Sequence, residues 1–201
     1  MKYHDITKDD MKNGDGLRVV LWVSGCPHHC KGCHNPITWD PDDGIIFDEK
    51  AKQEIYDELD KDYISGLTIS GGDPLSAYNF EEVCDFVEDV KERYPNKTIW
   101  IYTGFTFEQL MNRDPQLAEG LFTSIDVLVD GEFVESLKDP KLLWKGSSNQ
   151  RVIDTKKTFG TYEFYVDDTN VLMYSNDHVI LHCGDYEDDP INTIKCKGCG
   201  E

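Results

Sequence analysis

Basic charge is scarce in this chain: 20 lysines and arginines stand against 39 aspartates and glutamates, a formal net charge of −19. Such a surface repels phosphate backbones and anionic headgroups, which argues against direct binding to nucleic acid or to an acidic membrane. Long apolar runs are missing too. No segment approaches the roughly 20 residues that cross a bilayer, and the opening Met1–Gly16 stretch has no apolar centre of the kind a secretory leader carries. The chain therefore reads as cytoplasmic. Internal repeats and low-complexity linkers are also absent, so solenoids and tethered modules are excluded. At 201 residues there is room for one domain with a full core, and barely for two.

Cysteine is what the chain has in excess, with seven in all. In a cytoplasmic setting that points to metal or redox chemistry more than to a disulfide framework. Three of them fall within one short loop, Cys26-Pro-His-His-Cys30-Lys-Gly-Cys33, directly after the apolar run Leu17–Val23 and the strand-ending Ser24-Gly25. The β-branched and aromatic content of LRVVLWV predicts a buried strand. The C-x3-C-x2-C spacing is not that of structural zinc, which pairs cysteines as C-x2–4-C and closes with four ligands. A 4Fe–4S cluster also usually takes four thiolates, and no fourth cysteine lies near Cys33. Three thiolates would hold three irons and leave the fourth open to a substrate. Proline, two histidines, a lysine and glycine around the thiols make a poor core segment, so metal ligation is the preferred reading over packed or disulfide-bonded cysteines. His28 and His29 read as exposed loop residues rather than ligands.

Downstream, apolar segments alternate with helical patterns. Asp48 is placed to cap a helix carrying Ala51, Ile55 and Leu59, and Gly66–Ser70 reads as a strand. Asn79, with Glu82 three residues on, is expected to cap a second helix with Phe80, Val83, Phe86, Val87, Val90 and Tyr94 on its apolar face. Cys84 lies on that face and is read as packed. Thr98–Tyr102 and Ser124–Val129 are two further strands, with a shorter helix containing Phe107 and Leu110 between them. This alternation predicts a parallel α/β sheet. The strands end in small or polar turns: Ser24-Gly-Cys26, Ser70-Gly-Gly-Asp-Pro74, Thr103-Gly104 and Asp130-Gly131. In parallel sheets these carboxyl ends share one edge, where sites are built, so the four turns are expected to converge.

From about Thr155 the character changes. Phe159–Val166 and Val171–Cys183 read as strands or hairpins around a turn at 167–170, followed by an acidic stretch and a terminal Cys196-Lys-Gly-Cys199. This divides the chain into a core at 3–154 and a C-terminal β-rich extension at 155–201. Cys196 and Cys199 have the spacing of one half of a zinc site, and Cys183 with His182 would offer the other half. A redox dithiol, an accessory cluster and a terminus with idle thiols are the alternatives.

The cysteine spacing resembles that of the radical S-adenosylmethionine superfamily. Asn13-Gly-Asp-Gly16-Leu-Arg18, Val23–Cys26, Gly32-Cys33-His34-Asn35, Thr38-Trp39, Ser70–Pro74, Tyr102–Gly104, Val129–Gly131 and Trp144–Asp154 further resemble the anaerobic ribonucleoside-triphosphate reductase activating family. The likeness spans residues 3–154 and implies a partial parallel (β/α) barrel. It implies a 4Fe–4S cluster on Cys26, Cys30 and Cys33, with S-adenosylmethionine chelating the open iron. It also implies contacts from Gly71, Gly72 and Asp73 to the methionine end, from Gly32–His34 to adenine, and from Tyr102, Thr103 and Gly104 along ribose and methionine. Asp130 is a further pocket candidate, Asn35 with His34 would orient the loop, and Asn149, Gln150 and Arg151 are candidates for partner contact. The implied reaction is one-electron cleavage of the sulfonium to methionine and a 5′-deoxyadenosyl radical, which takes hydrogen from a glycine of the reductase large subunit. The electron would come from a reductant such as flavodoxin. Two rival readings stay open here: an activase of a pyruvate formate-lyase type enzyme, and a plain iron–sulfur electron carrier.

Overall fold

The computed structural model describes residues 1–158 in full and the backbone of 159–161, 163–166, 170–175 and 178–183. One sheet dominates it. Its centre is four parallel strands, β2 (Leu17–Val23), β4 (Ile64–Gly71), β5 (Thr98–Tyr102) and β6 (Val127–Asp130), paired in that order. β1 (Lys2–Asp10) and the short β3 (Ile45–Ile46) extend it antiparallel on one side. On the other side β7 (Arg151–Asp154), β8 (Glu163–Val166), β9 (Asn170–Ser175) and β10 (His178–Cys183) follow, each antiparallel to its neighbour. The sheet is open, with β3 and β10 at its edges.

Alternation along the central strands decides what each face does. Val19, Leu21 and Val23 of β2, Leu67 and Ile69 of β4, Ile99 and Ile101 of β5 and Leu128 of β6 form one buried cluster with the helices. The helices are α1 (Glu49–Leu59), α2 (Phe80–Arg93), α3 (Phe107–Arg113) and α4 (Pro115–Ser124), with α5 (Thr155–Thr161) after β7. Asp48 caps α1 as expected, accepting from the Ala51 amide at 3.0 Å. Cys84 is buried on the α2 face. Both faces of β2 are covered, since Val20 is as buried as Val19, which is why its sequence is a near-continuous apolar run.

Arg18 explains the Asn13–Arg18 motif, and it does so at the edge away from the cysteines. Fully buried, its guanidinium donates to Thr68 Oγ1 at 2.7 Å, Thr98 Oγ1 at 2.8 Å, Leu67 O at 2.7 Å, Thr98 O at 2.9 Å and Asp15 O at 3.1 Å. It also lies over the Trp100 ring. Burial beside neutral oxygens, with no carboxylate bonded to it among the described residues, lowers its pKa to about 10. Gly14, at φ +130°, leaves the space: a Cβ there would stand 2.8 Å from Arg18 Cδ. Arg18→Ala strips these oxygens of their donors, and unfolding in urea should show a loss of about 3 kcal/mol or more.

Several expectations are corrected. β1 was not foreseen, because a polar edge strand has no apolar run to announce it. α4 was missed as well, and it takes residues through Ser124, so β6 begins at Val127 rather than Ser124. Residues 159–161 continue α5 rather than starting a strand. Asn79 stands at the head of α2, but its side chain makes no capping bond; it is used elsewhere.

Candidate functional site

The carboxyl ends of β2, β4, β5 and β6 converge on one rim as expected, and backbone hydrogen bonds join them. The Gly72 amide donates to Val23 O at 2.7 Å, the Asp73 amide to Gly25 O at 2.8 Å and the Thr103 amide to Val129 O at 2.9 Å. The lead-in to the cysteine loop is held from its other side by the turn at Pro36–Thr38: the Gly25 amide donates to Thr38 O at 2.8 Å and the Cys26 amide to Trp39 O at 3.0 Å. The backbone before Cys26 is thus sandwiched between two turns. Gly71, at φ +106°, and Gly72 make the sandwich possible, since a Cβ on Gly72 would lie 2.5 Å from Gly25 O and 2.8 Å from Thr38 O. Asn79 completes the joint, its Nδ2 donating to Ser24 O at 2.8 Å and Asp73 O at 2.9 Å. Sequence reasoning had assigned that side chain to a helix cap.

Cys26, Cys30 and Cys33 are free and half-buried on this loop. The Cys33 amide donates to Cys30 O at 3.1 Å, closing a tight turn through Gly32 at φ +76°. The Asn35 amide donates to Cys33 Sγ at 3.4 Å, and the backbone at His28 and His29 favours the Cys26 thiolate as that at Phe133 favours the Cys30 thiolate. Burial still dominates at the free thiols, raising Cys26 to about 11 and Cys30 above its usual value. Among the described residues no three His, Cys, Asp or Glu side chains form a ready metal-binding group, so the thiols share a loop without meeting at a point. The donor set nevertheless suits an iron–sulfur cluster, because thiolates are the soft ligands such a cluster takes and an amide donor already meets Cys33.

Asp73 is the hub of the rim. It is 1% exposed, and its carboxylate accepts from the Leu75 amide at 2.8 Å, the Gly104 amide at 2.9 Å and Thr103 Oγ1 at 2.9 Å. The fourth partner is His28, whose Nε2 lies 2.8 Å from Asp73 Oδ2 while its Nδ1 lies 2.8 Å from Glu132 Oε1. Burial alone would lower the imidazole pKa, but the two carboxylates outweigh it and the net shift is upward. His28 is therefore not the exposed loop residue expected: its side chain is 7% exposed. His29 is exposed as expected, and stacks on Trp39 with ring centroids 4.8 Å apart.

The remaining candidates divide. Thr103 and Gly104 join the hub through Asp73. Tyr102 has a buried hydroxyl with no partner among the described residues, and burial holds its pKa well above the usual phenol value against the opposing pull of the Arg18 charge. His34 is exposed, and Asn35 O accepts from Thr38 Oγ1 at 2.8 Å. Gly32 leaves room for Glu135, whose Oε1 would be 2.8 Å from a Cβ.

Asp130 is turned to other work. Its carboxylate accepts from Arg151 Nε at 2.9 Å, from Arg151 Nη2 and from the Phe107 amide at 2.8 Å. Arg151 also takes both Glu108 oxygens, at 2.9 and 2.7 Å. Burial would lower its pKa, yet two carboxylates hold it above the usual arginine value. Asn149 Nδ2 donates to Glu132 O at 2.8 Å, and Gln150 Nε2 to Gly131 O at 2.9 Å, while Gln150 Oε1 accepts from the Gly146 amide at 2.8 Å. The Asn149–Arg151 side chains thus brace the turn after β6, whose Glu132 meets His28. The side chain of Cys183, and the whole of Cys196 and Cys199, lie outside the described residues.

Comparison with known proteins adds two findings. Residues 12–153 match a family described as a 4Fe-4S single cluster domain. The chain is also similar to proteins named anaerobic ribonucleoside-triphosphate reductase-activating protein. The one from Haemophilus influenzae is 41% identical over 152 residues, 75% of this chain and 96% of the relative. Those of Enterobacteria phage T4 and Escherichia coli K12 are 42% and 40% identical over 152 and 154 residues, 76% of this chain in each case and 93% and 97% of the relatives.

Proposed function

The chain belongs to the anaerobic ribonucleoside-triphosphate reductase-activating protein family, and from that premise we propose that it is a radical S-adenosylmethionine activase, an oxidoreductase that installs a glycyl radical on that reductase. The observation that carries the reading is the joint between the cysteine loop and the Gly71-Gly72-Asp73 turn. It sets the lead-in to the first thiol, Cys26, against a backbone ledge where a Cβ on Gly72 would clash with Gly25 and Thr38. The four parallel strands are then read as part of a (β/α) barrel.

Cys26, Cys30 and Cys33 would hold a 4Fe–4S cluster with one iron left open. When bound, the cluster supplies the single electron that splits the sulfonium of S-adenosylmethionine. The protein's own groups bind and orient. The carbonyls of Gly71 and Gly72 accept from the methionine ammonium, the Gly32–His34 backbone meets adenine, and Tyr102–Gly104 line the ribose and methionine side. Asp73 acts through the turn it holds together, since its carboxylate is already shared among four neighbours. The reductase's glycine loop is the partner, with a one-electron donor such as flavodoxin feeding the cluster. We place the reaction in the cytoplasm, without nucleic acid or membrane; among the described residues no helix is long and apolar enough to cross a bilayer.

The test is anaerobic reconstitution with iron and sulfide, then dithionite and S-adenosylmethionine. Formation of 5′-deoxyadenosine, and a glycyl EPR doublet on the reductase but not on pyruvate formate-lyase, is expected. A loaded protein that cleaves no S-adenosylmethionine is an electron carrier, and a radical on the lyase alone reassigns the partner. For the extension, we propose that Cys183, Cys196 and Cys199 contribute to a second metal site, with zinc as one candidate beside an accessory cluster. His182 and Cys183 are successive residues of β10, and successive strand positions face opposite sides of a sheet, so both do not reach one metal. Full-length protein should hold about one zinc per chain, and a chain lacking residues 184–201 should lose it while cleaving S-adenosylmethionine normally. Equal zinc in both, or none in either, removes the tail as a zinc site.

A further inference from the structure

We propose that His28 is a positioning residue: a strut between Cys26 and Cys30 that fixes the angle of the cysteine loop against the turns that receive S-adenosylmethionine. The inference rests on the function proposed above and deepens it. One imidazole touches the turns after three strands. It meets Asp73 after β4 at 2.8 Å, packs edge-on against Phe105 after β5 with centroids 4.5 Å apart, and meets Glu132 after β6 at 2.8 Å. The third turn also carries Phe133, whose backbone favours the Cys30 thiolate. Gly104 provides the space, since a Cβ there would stand 2.5 Å from His28 Cδ2 and 2.6 Å from Nε2.

The arrangement separates assembly from alignment. Without the imidazole, Asp73 keeps Thr103, Gly104 and Leu75 as donors, so the turn survives. The lead-in to Cys26 keeps its backbone bonds to Asp73, Thr38 and Trp39, so the thiols stay on their loop. What is lost is the buried side-chain tie between the middle of the loop and the rim, leaving the exposed Lys31–Glu135 ion pair at 3.1 Å. A cluster held by a loop free to pivot presents its open corner at a range of angles, and chelation of the methionine end weakens. Partners one step behind metal ligands typically matter by about 10–100-fold in affinity or activity.

The experiment compares wild type, His28→Ala and His28→Gln as full chains. Gln Nε2 can replace the donor to Asp73 without the ring. In the metal-free proteins, amide hydrogen exchange across residues 26–33 should be faster in His28→Ala than in wild type. After reconstitution, His28→Ala should carry normal iron and sulfide. Its dissociation constant for S-adenosylmethionine should rise about 10–100-fold, and the EPR change of the reduced cluster on adding that cofactor should be diminished. His28→Gln should recover most of the affinity. Wild-type affinity in His28→Ala overturns the strut, as does equal weakness in Ala and Gln, or iron loss in His28→Ala as severe as in a cysteine variant. If wild-type protein does not respond to S-adenosylmethionine at all, the functional reading fails instead, and the exchange measurement still decides whether His28 ties the loop.

Discussion

Cys26→Ala, Cys30→Ala and Cys33→Ala are each expected to abolish S-adenosylmethionine cleavage, with iron content and visible absorbance falling alongside. Each thiolate is assigned a different iron, and no fourth cysteine lies near Cys33 to substitute. Of the loop's histidines, His28 is committed to Asp73 and Glu132, His29 stacks on Trp39, and His34 is exposed. Cys84 provides the matched control. It is buried on α2, and burial lifts its pKa to about 11, so Cys84→Ala should keep full iron and full cleavage. Anaerobic reconstitution followed by iron analysis and chromatography for 5′-deoxyadenosine reads both. One loop variant with undiminished turnover would break the three-thiolate assignment, whatever its fold.

How much of this was legible in the sequence depends on the range of the interaction. The central strands were, because burial on both faces writes a continuous apolar run such as Leu17–Val23. The turns were, because strand ends that carry glycine and aspartate are local signals. Convergence of those turns followed from parallel pairing alone. The polar side chains were misread wherever their partners are distant. His28 finds Asp73 across 45 residues and Glu132 across 104, while Asn79 finds Ser24 across 55. A local pattern offers a loop histidine or a helix-capping asparagine as the nearer explanation. Asp130 and Arg151 show the same limit. Each looked like a rim group by position, but they form a buried pair 21 residues apart, braced by Glu108. Backbone fit is likewise invisible in a string of letters, and it changes what the glycine pair is for.

Gly72→Val is the second large effect. If Gly72 only contacted the methionine end, as the family resemblance implies, a side chain at this position would obstruct the cofactor while sparing the cluster. The structure places the obstruction elsewhere. The added Cβ would stand 2.5 Å from Gly25 O and 2.8 Å from both Gly25 C and Thr38 O. All three atoms are backbone, and Gly25 is hydrogen-bonded to Thr38 and Asp73, so none can swing aside as a flexible side chain would. The clash is relieved only by pushing apart the two turns that sandwich the lead-in to Cys26. Overpacking of this kind costs about 1–3 kcal/mol and sometimes more, and here the displaced segment carries the first thiol. Gly72→Val should therefore lose iron and S-adenosylmethionine binding together, and Gly72→Ala should already do so in part, because the same Cβ makes the contact. Gly120, inside α4, has nothing within 4 Å of its would-be Cβ. Gly120→Ala should leave the cluster intact and stabilise the protein by about 0.5–1 kcal/mol. Full cluster absorbance in Gly72→Val, with cofactor binding alone lost, would show that the turn yields without disturbing Cys26, and would restore the simpler reading of Gly72 as a wall of the methionine pocket.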